Sequence, residues 1–291
     1  MNPTAWIGLA VMAGSEAATL ARIEPFWSWN TPIAWTGFIL FADGIVWQRR
    51  HHSWMRSNGR EFALLALASI PLWLVFEGYN RILHNWYYTG LPENVAWRMF
   101  GYGWSFATIW PAIFEGAELV AVLRTGKAES AGSTAGRAES MGTPVGSAVR
   151  WAIGAAGALM LASPFLVPST VAPYMAAPVW LGFIFLLDPL NARLGAESLM
   201  GDLRPARLIN LALSGLLCGV LWEFWNYWAG AKWHYTVPIM EDLKLFEIPA
   251  PGYLGFPAFA IECFTMYVFV RAIFVHLAPA HRARPGRTIA L

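Results

Sequence analysis

The feature that most constrains this chain is a series of apolar runs, each long enough to cross the ~30 Å hydrocarbon core of a bilayer, for which a helix needs about 17–25 residues. Clear runs occupy 31–47, 62–78, 100–123, 151–168, 177–192, 208–229 and 252–277, and a weaker one, interrupted by Glu16, occupies 5–21. Composition agrees: the 291 residues are 57% hydrophobic and 13% charged, with 18 Phe and 17 Trp, against ~25% charged in a soluble domain. A soluble enzyme is excluded, and so is disorder for all but one segment. The formal net charge of +2 is too small to argue for a nucleic-acid partner. Cys218 and Cys263 both lie within apolar runs, so no disulfide framework is implied.

Translocation retains Lys and Arg on the cytoplasmic side, which makes their distribution a test of topology. One set of loops carries Arg49, Arg50, Arg56 and Arg60, then Arg124, Lys127, Arg137 and Arg150, then Arg193, Arg204 and Arg207, and finally Arg282, Arg284 and Arg287 in the tail. The opposite loops hold only Arg22, Arg81, Arg98, Lys232 and Lys244. This split predicts an even number of spans with both termini in the cytoplasm, in a plasma membrane of bacterial type. It also favours counting 5–21 as a retained first helix over a removed leader or an interfacial helix. Residues 125–149, rich in Gly, Ser, Ala and Thr, read as a flexible cytoplasmic linker between a first membrane repeat, 1–124, and a second, 150–291.

The two repeats are predicted from self-similarity. Trp35, Gly37, Phe38, Ile39 and Asp43 recur as Trp180, Gly182, Phe183, Ile184 and Asp188, and Ser53 and Met55 as Ser198 and Met200, at an offset of 145. Glu77 and Asn80 recur as Glu223 and Asn226 at 146, and Trp86, Tyr88 and Glu115 as Trp233, Tyr235 and Glu262 at 147. Runs 31–47 and 177–192 both pass from outside to inside in this topology. The expected fold is therefore all-α, a polytopic bundle of about eight transmembrane helices in two parallel four-helix repeats.

Six duplicated carboxyl groups fall inside the apolar runs, where an ionised side chain costs at least ~2.5 kcal/mol. Asp43, Asp188, Glu115 and Glu262 are expected near mid-depth, and Glu77 and Glu223 near the outer ends of their helices. No Lys, Arg or His matches them at those depths, which makes them candidate acids. Packing by interhelical hydrogen bonds is the structural alternative for each. Glu77 with Asn80, and Glu223 with Asn226, share a helical face just ahead of Trp86 and Tyr88, or Trp233 and Tyr235. An aromatic face beside a proton donor suits a carbocation. Trp27, Trp29, Trp97 and Trp104 read as interface anchors, and His51, His52, His84 and His234 as loop histidines, so no metal site is expected. Pro111 and Pro257 are expected to kink their helices ahead of Glu115 and Glu262.

The order of these residues resembles the lycopene cyclase domain of membrane carotenoid enzymes. The stretch Trp222-Glu223-Phe224-Trp225-Asn226 with Trp233-His234-Tyr235 is similar to that family's Trp-Asp-Asn-Tyr and Trp-x-Tyr signature, and Phe76-Glu77-Gly78-Tyr79-Asn80 with Trp86-Tyr87-Tyr88 is its counterpart in the first half. Gly255-Phe256-Pro257 leading to Glu262, and Pro111 leading to Glu115, stand roughly where the family has Pro-x-Glu-Glu. Neither half has the paired Glu-Glu, the Pro-to-Glu spacing is longer, and Glu replaces Asp in the first motif. The resemblance spans three helices of each half.

What it implies is a redox-neutral cyclisation or hydration of an isoprenoid or carotenoid-type lipid, begun by carboxylic-acid protonation of a C=C bond. Glu77 and Glu223 would be the proton donors or their orienting partners. Asn80 and Asn226 would fix the carboxyl geometry, and Glu115 and Glu262 would be the second acid or the base. Asp43, Trp86, Tyr88, Asp188, Trp233 and Tyr235 would line the substrate site. No nucleotide or flavin motif occurs, and no cofactor is expected. Two other readings stay open: a proton-coupled transporter with a path past Asp43, Asp188, Glu115 and Glu262, and a non-catalytic quinone- or pigment-binding subunit. The oligomeric state is not legible in the sequence.

Overall fold

The computed structural model describes residues 1–125, 146–201 and 203–277. Of the linker expected at 125–149, residues 126–145 lie outside the described residues, as does the basic tail past 277. Among the described residues there are nine α-helices: α1 (Pro3–Leu20), α2 (Phe26–Arg50), the short α3 (Trp54–Ser57), α4 (Gly59–Leu83), α5 (Val95–Thr125), α6 (Ser147–Leu166), α7 (Ala176–Arg193), α8 (Pro205–Trp228) and α9 (Gly255–Leu277). Four short strands join them: β1 (Trp86–Thr89), β2 (Lys232–Tyr235), β3 (Lys244–Leu245) and β4 (Ile248–Pro249).

Six segments are long and apolar enough to cross a membrane: Gly59–Leu83, Val95–Thr125, Ser147–Leu166, Ala172–Arg193, Pro205–Trp228 and Ala250–Leu277. The protein is an integral membrane helical bundle. α1 and α2 fall short of that measure. Pro3, Ser15 and Glu16 dilute α1, whereas α2 carries Asp43 and ends in Gln48-Arg49-Arg50.

The helix ends follow local chemistry. The Asn2 side chain accepts the Ala5 N–H and caps α1, with Pro3 in the first turn. α2 and α4 both close on a left-handed histidine, His51 and His84, each at φ 52°. α2 breaks its helical geometry at Trp29, three residues ahead of Pro32. α5 runs on through Pro111, with the Ser69 hydroxyl inserted in the ladder one residue earlier, donating to Phe106 O and accepting from Trp110 N. Pro257 sits in the first turn of α9, where a missing N–H breaks nothing.

α1 packs on α2 and α6 packs on α7, both at crossings of small residues. α4 packs on α5, and α8 on α9. α5 occupies the middle, with 83% of its most apolar stretch buried against 17% for the peripheral α6. The ends that hold the arginines are tied by ion pairs: Arg50 to Glu118, Arg207 to Glu197 and Arg271 to Glu61.

Candidate functional site: an aromatic cavity lined by two paired strands

The site is built twice, from the end of an acid-bearing helix and the strand that follows it. At the end of α4 the Asn80 amide donates to Trp86 O (2.8 Å) and its carbonyl accepts from Trp86 N (3.1 Å). At the end of α8 the Asn226 amide donates to Trp233 O (2.8 Å) and accepts from Trp233 N (2.9 Å). Each asparagine thus fills both hydrogen-bonding groups of one tryptophan backbone and fixes the strand against the helix that carries the acid. The expected role of the asparagines was to orient the carboxyl groups; their contacts are with the strand backbone instead.

The second tie runs from tyrosine to acid. The Tyr88 hydroxyl donates to Glu77 Oε1 (2.5 Å), and the Tyr235 hydroxyl donates to Glu223 Oε1 (2.9 Å). The surroundings differ. Glu77 is half-buried, and the same oxygen also accepts from Trp73 Nε1 (2.9 Å) and Trp86 Nε1 (3.3 Å). Glu223 is fully buried. Burial, and then the neighbouring acid, hold both tyrosine hydroxyls well above their ordinary value, so both keep their proton and donate hydrogen bonds.

The two strands pair with each other. In the antiparallel β1–β2 ladder Trp86 faces Tyr235, Tyr87 faces His234 and Tyr88 faces Trp233. Each Trp lies opposite the other strand's Tyr, which is the reciprocal pattern of a two-fold contact. Under this ladder lies a cavity of about 110 Å³. Trp86, Tyr88, Trp233 and Tyr235 line it, together with Trp35 and Trp180, a matched pair at offset 145, and with Trp73 and Trp222. Its inner wall is a connected set of rings, with Trp73 and Trp222 5.6 Å apart and Trp222 and Trp233 5.2 Å apart. Phe76 stacks on Trp180 at 4.9 Å just behind it. Ser28, Leu91, Pro92, Arg98 and Lys232 also line the cavity.

Other expected site residues lie apart from this cavity. Asp43 accepts the Met55 N–H (3.1 Å) at the start of α3 and has Arg56 Nε at 3.6 Å. Asp188 accepts from Leu199 N (2.6 Å) and Met200 N (3.0 Å). Both aspartates hold the turn after their own helix, at matched positions, and neither lines the cavity. Glu115 and Glu262 are buried in α5 and α9, and among the described residues neither carboxyl oxygen of either meets a hydrogen-bond partner. Glu115 follows the cavity residue Ile109 by about 9 Å of helix rise. The site as found therefore gathers Glu77, Asn80, Trp86, Tyr88, Glu223, Asn226, Trp233 and Tyr235, and leaves Asp43, Asp188, Glu115 and Glu262 outside.

Several cavity residues carried no sequence signal as site residues. Trp35 and Trp180 marked the repeat but were not assigned to a site, and Trp29, expected as an interface anchor, is part of the wall and packs on Trp97 at 5.5 Å. Trp73 and Trp222 lie among other apolar residues of their helices. His234 is no hydrated loop residue: it stacks on Tyr87 at 5.3 Å and lies 3.0 Å from Glu247. Burial pushes the Glu247 carboxyl up, but hydrogen bonds from Lys232 and His234 outweigh it and hold the group below the ordinary carboxylate value. Among the described residues no cluster of three His, Cys, Asp or Glu could hold a metal ion.

Comparison with protein-family models, with curated proteins and with solved structures finds no match to this chain.

Proposed function

We propose that this protein is a membrane enzyme acting on an isoprenoid or carotenoid-type lipid, protonating a C=C bond in a redox-neutral cyclisation or hydration. The observation that carries the reading is the pairing of Glu77 with Tyr88 and of Glu223 with Tyr235, both tyrosines lining one aromatic cavity. In this reading Glu77 or Glu223, as the neutral carboxylic acid, gives the proton to the substrate carbon, and its tyrosine hydroxyl holds the carboxyl group in place. The cation that results sits among tryptophan faces. It then loses a proton back to the site, giving a cyclised alkene, or takes up water, giving an alcohol. The cavity volume suits one five-carbon unit, being comparable with the ~150 Å³ cavity that admits benzene.

The chain is read as eight membrane helices in two parallel repeats, α1-α2-α4-α5 and α6-α7-α8-α9, with both termini cytoplasmic and the paired strands on the outer side. Matching packing orders and the reciprocal strand register support this. The carrier reading loses ground because Asp43, Asp188, Glu115 and Glu262 do not line the cavity. A non-catalytic pigment or quinone binder is favoured by one observation: neither Glu77 nor Glu223 itself reaches the cavity wall.

Expression in a host that accumulates linear carotenoids separates these readings, with pigment chromatography of the wild type, Glu77→Gln and Glu223→Gln. A new pigment from the wild type that either substitution abolishes is the expected result. No new pigment removes the carotenoid-cyclase reading, and a pigment that survives both substitutions removes the assignment of the acids.

A further inference from the structure

No carboxyl group lines the cavity, and its charged side chains are Arg98 and Lys232. Lys232 is already neutralised, with Nζ 2.9 Å from Glu247 Oε1. Arg98 is half-buried and meets no carboxylate among the described residues.

A pure hydrocarbon would place an unneutralised guanidinium against an apolar chain. We infer that the ligand of this cavity is an isoprenoid bearing a singly charged carboxylate at one end. Its oxygens accept from Arg98, and its first five-carbon unit lies against Trp73, Trp180 and Trp222. The charge count sets the limit of one. With Lys232 paired to Glu247, Arg98 alone is left to balance the head, and a phosphate monoester, with a charge of about −1.5 to −2 at neutral pH, or a diphosphate would bring more negative charge than it can match. The inference rests on the isoprenoid reading of the cavity and adds the head group to it.

The test uses the full chain purified in detergent, titrated with geraniol, geranate and geranyl monophosphate and followed by quenching of tryptophan fluorescence. The wild type is expected to bind geranate at least ten-fold more tightly than the alcohol and more tightly than the monophosphate. Arg98→Gln is expected to remove the preference for geranate over geraniol. If geraniol or the monophosphate binds as tightly as geranate, or if Arg98→Gln keeps the preference, the inference fails although the isoprenoid reading stands. If none of the three binds, the isoprenoid reading fails and the inference goes with it.

Discussion

Asn80 and Asn226 do the same work at different depths, and depth sets what each contributes. Each satisfies both backbone groups of a tryptophan, but Asn226 is fully buried whereas Asn80 is half-buried. A buried group left unpaired costs about 1–3 kcal/mol, while water repays much of that at a wetter site. Asn226→Ala is therefore expected to lower stability by about 2–3 kcal/mol and Asn80→Ala by less than about 1 kcal/mol, read as the shift in thermal unfolding of the detergent-solubilised protein. Equal shifts for the two variants would refute the argument. That Glu and Asn share a face was legible from their spacing of three residues. What the asparagine holds was not, because the tryptophan backbone returns to it only after the chain has reversed, and nothing in residue order says where a loop folds back.

Among the elements, the α1–α2 and α6–α7 crossings show how a repeat that reads as a marker becomes a packing device. Gly37 and Gly182 were visible as matched positions, but their partners Gly8 and Gly157 were not, since the offset between those is not the one seen elsewhere. A Cβ built on Gly8 would come within 2.5 Å of Gly37 O, and one on Gly157 within 2.3 Å of Leu186 N. Backbone therefore meets backbone at both crossings, the close approach that small residues permit where lipid supplies no hydrophobic drive between helices. Nothing but a shift of one whole helix can make room for a side chain there. Gly157→Leu is expected to cost at least the ~1–3 kcal/mol typical of overpacking and to lower the yield of folded protein. Gly154→Leu, on the same helix with nothing within 4 Å of its Cβ, should leave the yield unchanged. Size-exclusion profiles of the two variants make the comparison. The weak run at 5–21 was legible as a helix, and α1 forms there. Whether it and α2 cross the membrane depends on their burial against the rest of the bundle, which composition does not report.

For the whole molecule, the question is whether duplication gives two sites or one. The sequence shows two complete sets of Glu, Asn, Trp and Tyr and invites two independent sites, one per half. The strand register argues otherwise. Because Trp86 faces Tyr235 and Tyr88 faces Trp233, both Trp-x-Tyr segments meet on the line where the halves join, and all four rings line a single cavity. Their pairing spans some hundred and fifty residues of sequence, so periodicity within either half could not reveal it. One cavity makes a sharp demand on stoichiometry. Two independent sites would bind two ligands per chain, and Tyr88→Phe would silence one of them and leave the other at its original affinity. A shared cavity binds one ligand per chain, and Tyr88→Phe and Tyr235→Phe each change the affinity of that single event. Their combined effect is then non-additive, as expected of groups acting on one bound molecule. Titration of the wild type, the two single variants and the double variant with a fluorescence-quenching isoprenoid measures both quantities at once. A wild-type stoichiometry of two, with half the amplitude lost in each single variant at unchanged affinity, would break the one-cavity reading.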